Sequence, residues 1–333
     1  MNYLYVCTQG AKVGYVEHRI IVQKEGELIR DIPIEPLECI ELYGNVQMTT
    51  QAMQQCLNRN ICVGVYSAGG FYIGKLNPSN ETGRCELIKA QVFRSGDHHF
   101  RMEFAKKEIR AKVHNQKVVL RRHLQWGGGD TKEAIRMMDI MEKKIDDAES
   151  INEIMGYEGN VARIYFKAMG GIVPEVFRFS VRSRRPAKDP INALLNFSYA
   201  VLQNQVEGKI SVRGLHPAIG LIHSTHNNKK ALSYDLMEEW RPVMADAPIL
   251  GALYTHEIRE EHFTIGDGGE IRMTKEGMGV VRKMIEDKYE CPFSYINADM
   301  KMNFRQAIKY QIDRFAGAIL DHDMSKYRPC RIR

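Results

Sequence analysis

The sequence has no apolar run that approaches the roughly 20 residues a bilayer-crossing helix needs. Its start, Met1-Asn2-Tyr3-Leu4-Tyr5-Val6, has neither the basic residues nor the long apolar stretch of a secretion signal. The 7 cysteines (Cys7, Cys39, Cys56, Cys62, Cys85, Cys291 and Cys330) are odd in number, scattered, and form no C-x-x-C pair. That argues against a disulfide framework and a cysteine zinc site, and a reducing cytoplasm is the expected compartment. Gly127-Gly128-Gly129 and Gly266-Asp267-Gly268-Gly269 lack both the Walker lysine and the spaced dinucleotide pattern, and read as loops. No Gly-x-Ser-x-Gly elbow occurs. Excess positive charge is small, 47 − 41 = 6 over 333 residues. It permits a nucleic-acid partner without requiring one, so the placement of the charge matters more than its sum.

With 44% hydrophobic residues, the chain has enough apolar material for a real core. The first 75 positions read as β-rich. Tyr3–Thr8, Lys12–Glu17, Ile20–Lys24 and Leu28–Pro33 are short runs of β-branched and aromatic residues separated by Gly and Glu-Gly breaks. Thr49 and Thr50 precede a short helix over 51–57, and 61–66 with 71–76 form a hairpin about Ser67-Ala68-Gly69-Gly70. Turn formers dominate 77–83, where a linker is expected. Beyond Glu86 the apolar spacing is mostly three and four, predicting helix within 86–125, 131–168, 188–206, 232–246, 273–289 and 303–320. The expected fold class is therefore α+β: a small N-terminal β domain (1–76), a linker (77–84) and a large all-α domain (85–333).

Ile151, Ile154, Met155, Ala162 and Tyr165 form an apolar stripe that also contains Glu158. A carboxylate facing a core needs a partner, either a cation such as Arg163 or a metal. His223 follows the small and apolar segment Leu215–Ile222. On its own it reads as a core histidine, and His216, His223 and His226 match no strong zinc spacing. In Asp235-Leu236-Met237-Glu238-Glu239-Trp240-Arg241-Pro242, the residues Leu232, Leu236, Trp240 and Val243 make a core face, while the acids form either a solvated edge or part of a site with Glu158 and His223. Two carboxylates with one imidazole suit Mn²⁺ or Mg²⁺ better than zinc or copper. Arg182, Arg184, Arg185 and Lys188 crowd the segment before Pro190, and Arg121-Arg122-His123 and Lys326–Arg333 add cations. Each reads either as a phosphate contact or as a solvated basic loop.

Taken in order, these blocks resemble the motifs of the CRISPR adaptation integrases, the first core protein of that system. Met155-Gly156-Tyr157-Glu158-Gly159-Asn160-Val161-Ala162-Arg163 resembles the glutamate motif. Arg184-Arg185-Pro186 through Ser198-Tyr199 resembles the next block, closest to the type I, subtype C branch. Gly214-Leu215-His216-Pro217 to His223 resembles the histidine motif, and Asp235 to Pro242 the final acidic motif. Many relatives carry aspartate in place of Glu238, phenylalanine in place of Trp240 and an acid or amide in place of His216. None of these departures removes a ligand.

The resemblance implies that Glu158, His223 and Glu238 are catalytic metal ligands for Mn²⁺ or Mg²⁺, with Asp235 as a supporting carboxylate. Arg163, Arg182, Arg184, Arg185 and Lys188 are the candidate DNA contacts. It further implies a homodimer paired through β domains, a complex with the small second adaptation protein, and double-stranded DNA substrates whose 3′-hydroxyls attack phosphodiesters of a CRISPR repeat. Two alternatives share these residues: a plain metal-dependent nuclease using water, and a non-catalytic DNA-binding scaffold. With Glu238 as ligand, Glu239→Ala is expected to be mild and Asp235→Ala intermediate.

Overall fold

The computed structural model describes residues 2–68, 71–77, 82–183, 186–223, 230–295 and 300–333. The N-terminal part contains β1 (Asn2–Val6), β2 (Lys12–Val16), β3 (Arg19–Lys24), β4 (Glu27–Pro33), β5 (Leu37–Tyr43), β6 (Gln47–Met48), α1 (Thr50–Asn58), β7 (Cys62–Tyr66) and β8 (Tyr72–Leu76). They build two sheets, ordered β1-β5-β7-β8 and β4-β3-β2-β6. Tight turns close the β2–β3 and β3–β4 hairpins, with Glu17, His18, Glu25 and Gly26 all at positive φ, as two-residue hairpin turns require. Leu4, Val6, Val13, Ile20, Val22, Ile40 and Val63 pack together as the core of this part. Thr49 caps α1 by accepting the Ala52 N–H at 3.2 Å.

The expected strands and the 61–76 hairpin are present within a residue or two. The sequence reading left out the two-residue β6 and, more consequentially, the central strand β5. It lies between β1 and β7, parallel to both, and is buried along most of its length. A strand covered on both faces has no polar alternation to announce it.

The rest of the chain is mostly helical: α2 (Thr82–Gly96), α3 (His98–Arg122), α4 (Leu124–Asp147), α5 (Ile151–Ile172), α6 (Pro190–Arg213), α7 (Ala231–Met237), α8 (Ala247–Tyr254), α9 (Lys275–Glu290) and α10 (Phe304–Asp321). Two short hairpins interrupt the helices: β9 (Phe263–Ile265) with β10 (Ile271–Met273), and β11 (Pro292–Tyr295) with β12 (Met300–Asn303). The expected helix 86–125 is broken at Asp97, whose carboxylate caps α3 through the Phe100 N–H. The expected helix 131–168 is broken before Ser150, which caps α5. Gly127-Gly128-Gly129, expected as a loop, lies inside α4.

α3 is the axis of this part. It packs on α4, α5 and the turn after α7, and carries a buried polar seam of Glu108, Lys112, Asn115 and Gln116 along one side. The β sheet docks on the helices through a buried Glu41–Lys209 ion pair at 3.1 Å. Arg305 joins it by donating to the Tyr43 hydroxyl at 3.1 Å.

Candidate active site

Three stretches far apart in sequence converge beside α3. The first is α5. Glu158 faces α3 and meets the Lys112 ammonium instead of Arg163, which is exposed and bonded to Asn160.

The second is the turn after α7. Pro242 has no N–H to give the Glu238 carbonyl four residues back. The chain therefore leaves α-helical geometry here, with a 3₁₀ turn over Glu238–Trp240 and a π turn over Pro242–Asp246. This turn sends Glu238 and Glu239 in different directions. Glu238 lies 2.6 Å from the Lys112 ammonium and 3.1 Å from the Arg241 guanidinium. Burial works against its charge, but Arg241 and Lys112 outweigh it and hold its pKa down at about 2. The contact between Glu238 Oε2 and Lys112 is one of charge without hydrogen-bond alignment.

The third is the loop ending at His223. Asp235 is fully buried and accepts four donors: the backbone N–H groups of Leu221 (2.6 Å), Ile222 (3.0 Å) and His223 (3.0 Å), and His223 Nδ1 at 2.7 Å. The carboxylate fixes the tautomer, placing the proton on Nδ1 and leaving the Nε2 lone pair free to ligate. Burial opposes the imidazolium, yet Asp235 and Glu238 together raise the His223 pKa above its usual value. Gly220 makes room for this arrangement, since a Cβ there would sit 2.8 Å from the Asp235 carboxylate.

Glu239 belongs to a separate cluster. It is fully buried and accepts the Tyr327 hydroxyl at 3.1 Å and the backbone N–H of Cys330. Burial pushes its pKa up to about 7. The structure gives Glu239 a task that the sequence reading did not: it anchors the end of the chain. The solvated acidic edge considered for 235–239 is excluded, because Asp235, Glu238 and Glu239 are all buried.

A cavity of about 390 Å³ opens against Glu158, and its cations are Lys112, Arg163, Arg182 and Arg241. The Tyr199 ring lies between two guanidiniums, 4.9 Å from Arg241 and 5.5 Å from Arg182. Its hydroxyl donates to the buried Asp246 at 2.6 Å, which also accepts Tyr165 at 2.8 Å. Arg182 additionally donates to Asn192 and Asn196, both at 2.7 Å, so it braces the start of α6 while facing the cavity. Lys188 is exposed, and Arg184, Arg185 and His226 lie outside the described residues. His216 Nδ1 accepts the Ala218 N–H at 3.3 Å and has no part in this site. Sequence reasoning missed Lys112, which carried no local signal, and Arg241, which lay inside a quoted motif.

Among the described residues, no three His, Cys, Asp or Glu side chains stand close enough to enclose a metal as they are. Instead, Lys112 is lodged between the carboxylates of Glu158 and Glu238. Its ammonium stands between two oxygen donors, one of which, Glu238, also acts on the charge of the His223 imidazole. That donor set fits a hard dication replacing the ammonium.

A family model described as "CRISPR associated protein Cas1" matches residues 4–287. The chain is 28% identical over 321 residues to the CRISPR-associated endonuclease Cas1 of Mycobacterium tuberculosis, covering 96% of this chain and 94% of that one. It is 29% identical to a CRISPR-associated exonuclease Cas4/endonuclease Cas1 fusion of Rhodospirillum rubrum, of which it spans 56%. Among solved structures, a chain of a partial Cas6-RT-Cas1–Cas2 complex superposes with a TM-score of 0.82 at 21% identity, covering 100% of this chain and 99% of that one. A casposase bound to integration product gives 0.78 at 21%, covering 97% and 96%. The match runs through the Glu158, His223 and Glu238 blocks and across both the β-rich and the helical parts, and by it the chain belongs to the Cas1 family of CRISPR-associated proteins.

Proposed function

We propose that the chain is a divalent-metal-dependent DNA endonuclease and strand-transfer enzyme that inserts short DNA duplexes into a CRISPR array. The observation that carries the reading is the Lys112 ammonium held between two carboxylates from separate elements, Glu158 and Glu238. Those two carboxylates and His223 Nε2 would hold Mn²⁺ or Mg²⁺, and the imidazole favours Mn²⁺. When bound, the cation would polarise the attacked phosphoryl oxygen and neutralise developing charge. The chain's own groups do the rest. Asp235 holds His223 in its ligating tautomer. Arg241 and Arg182, stacked on Tyr199, present charge to a phosphate entering the cavity. Arg163, Lys188, Arg184 and Arg185 extend the contact to flanking phosphates. The nucleophile is the 3′-hydroxyl of the incoming DNA, so the chain needs no serine or cysteine of its own.

By the same resemblance, residues 1–76 carry homodimerisation, 77–84 link, and 85–333 hold the catalysis, with the small second adaptation protein as partner. Val16 and Leu28, more than half exposed on the N-terminal sheets, give that dimer apolar material. No described helix is long and apolar enough to cross a membrane, and an enzyme acting on cellular DNA would work in the cytoplasm.

The test is transfer of a labelled duplex into a supercoiled repeat plasmid with Mn²⁺ and the second adaptation protein. Wild type should give joined product, whereas Glu158→Ala, His223→Ala and Glu238→Ala should give none while still binding DNA. Cutting without joined product would leave the plain nuclease. Joining by all three variants would end the metal-site reading.

A further inference from the structure

Two basic stretches that stood apart in the sequence, Arg121-Arg122-His123 and the end of the chain, are brought together by α3 and are not used by the site above. The final residues run back along the C-terminal half of that helix. Asn115 donates to the Cys330 carbonyl at 2.9 Å and accepts the Ile332 N–H at 3.0 Å. His114 meets the Ile332 carbonyl at 2.9 Å, and Arg122 donates to the main-chain oxygen of Arg333. Arg331 and Arg333 thereby line the same wall as Arg122.

Two cavities of about 720 and 620 Å³ share Arg122, Arg331, Ile332 and Arg333, and so form one groove. Arg121 extends it at one end, and Lys288 and Lys301 at the other. Among the described residues, no acidic side chain lines either cavity. The floor near Lys301 is aromatic. Phe293 is stacked on Phe304 with ring centroids 4.0 Å apart and remains partly open, and the Lys288 ammonium lies 4.2 Å from the Phe304 centroid. Arg122 is ten residues beyond Lys112 on α3, roughly 15 Å along the helix axis, so the groove is separate from the catalytic cavity.

We infer that this groove binds a single strand of nucleic acid, apart from the phosphate held at the metal site. Its cations suit any polyanion, but the recessed aromatic floor selects among them. A duplex keeps its bases stacked inside, whereas an unpaired strand can lay its phosphates along Arg122, Lys301 and Arg331 while a base reaches the Phe293 ring. The inference rests on the proposed function only in taking nucleic acid as the substrate class.

The test measures anisotropy of full-length protein with a dye-labelled oligo-dT strand and a blunt duplex of equal length, in EDTA so that the metal site is silent. Lys301 and Arg331 are both exposed, so Lys301→Gln/Arg331→Gln should fold normally, as a thermal melt will verify. The double variant should bind oligo-dT about tenfold more weakly, with a salt slope shallower by about 0.7 per lost contact, while duplex affinity changes less than about threefold. Phe293→Leu should weaken oligo-dT alone, without altering the salt slope. Unchanged oligo-dT binding, or equal loss for strand and duplex, overturns the inference. So does poly-glutamate binding as tightly as oligo-dT with the same loss in the variant, which would make the groove a dock for an acidic protein. Failure of the metal-site reading would show in joining by the metal-ligand variants, whereas failure of this one would show in oligo-dT binding by the groove variants.

Discussion

Lys112→Met tests whether the lysine occupies the place of the metal. The ammonium is buried and contacts both Glu158 and Glu238, and burial works against its charge while the two carboxylates more than compensate. Methionine keeps the unbranched stem and deletes the charge. Glu238 retains Arg241 at 3.1 Å, but Glu158 loses the only cation the structure gives it within ion-pair distance among the described residues. Breaking a buried pair from one side costs about 3–5 kcal/mol. At about 2.1 cal/mol/K per residue, a chain of 333 residues unfolds with roughly 0.7 kcal/mol/K. In EDTA the melting temperature should therefore fall by roughly 4–7 °C. Mn²⁺ should then restore more than it adds to wild type, because no ammonium has to be displaced. Each tenfold gain in affinity adds about 1.4 kcal/mol at saturating metal, or about 2 °C. Differential scanning fluorimetry across a Mn²⁺ titration reads both quantities. A drop below about 1 °C, or a Mn²⁺ response no larger than that of wild type, would refute the idea that Lys112 holds the metal's position.

Glu239→Ala should be destabilising, because the Cys330 N–H loses its buried acceptor at about 1–3 kcal/mol, while the Tyr327 hydroxyl keeps Glu108 at 2.8 Å; a melt within 1 °C of wild type would contradict the anchoring role. Asp235→Asn should reduce Mn²⁺ affinity by about 10–100-fold, since an amide no longer fixes the His223 tautomer, and isothermal titration with wild-type affinity would remove Asp235 from that task. Asp246→Asn should change how stability depends on pH. Burial pushes the Asp246 carboxyl up to about 6 even though Tyr199 and Tyr165 pull the other way. The folded value lies above the ordinary 3.8, so the contribution is complete below about pH 4 and is lost as pH rises through about 6. The stability of wild type relative to the asparagine variant should fall by up to roughly 3 kcal/mol over that window, and a flat difference in denaturant melts would show that Asp246 is already ionised at pH 4.

What the sequence could announce was whatever depended on local pattern. Alternating strands, the threonine cap and the helix opening at Pro190 all lie near where the pattern placed them. β5 escaped because burial on both faces erases alternation. The site divided in the same way. Glu158 and His223 stood out because each was a polar residue in apolar surroundings. Lys112 did not, because α3 is rich in charge along its whole length, so a lysine at this position reads like those on its exposed face. Glu108, Lys112, Asn115 and Gln116 recur at helical spacing, as a solvated face would, yet all four are buried. Only the arrival of Glu158, Glu238, Glu239 and Tyr327 from elsewhere in the chain turns that stripe into an interior, and no local pattern reports such partners.

That stripe also explains why two adjacent glutamates cannot exchange roles. Lys112 meets Glu238 from one part of the seam. Glu108 accepts the Glu239 N–H at 3.0 Å, and Asn115 donates to the Glu239 carbonyl at 2.8 Å. The backbone of Glu239 is thus clamped to α3 on both sides, and its side chain is spent on Tyr327 and Cys330. With the backbone fixed, the one-residue rotation of the turn leaves Glu238 to face the cation. The residues that aim the Glu238 carboxylate are therefore its neighbour, the polar seam of α3 and the last few residues of the chain.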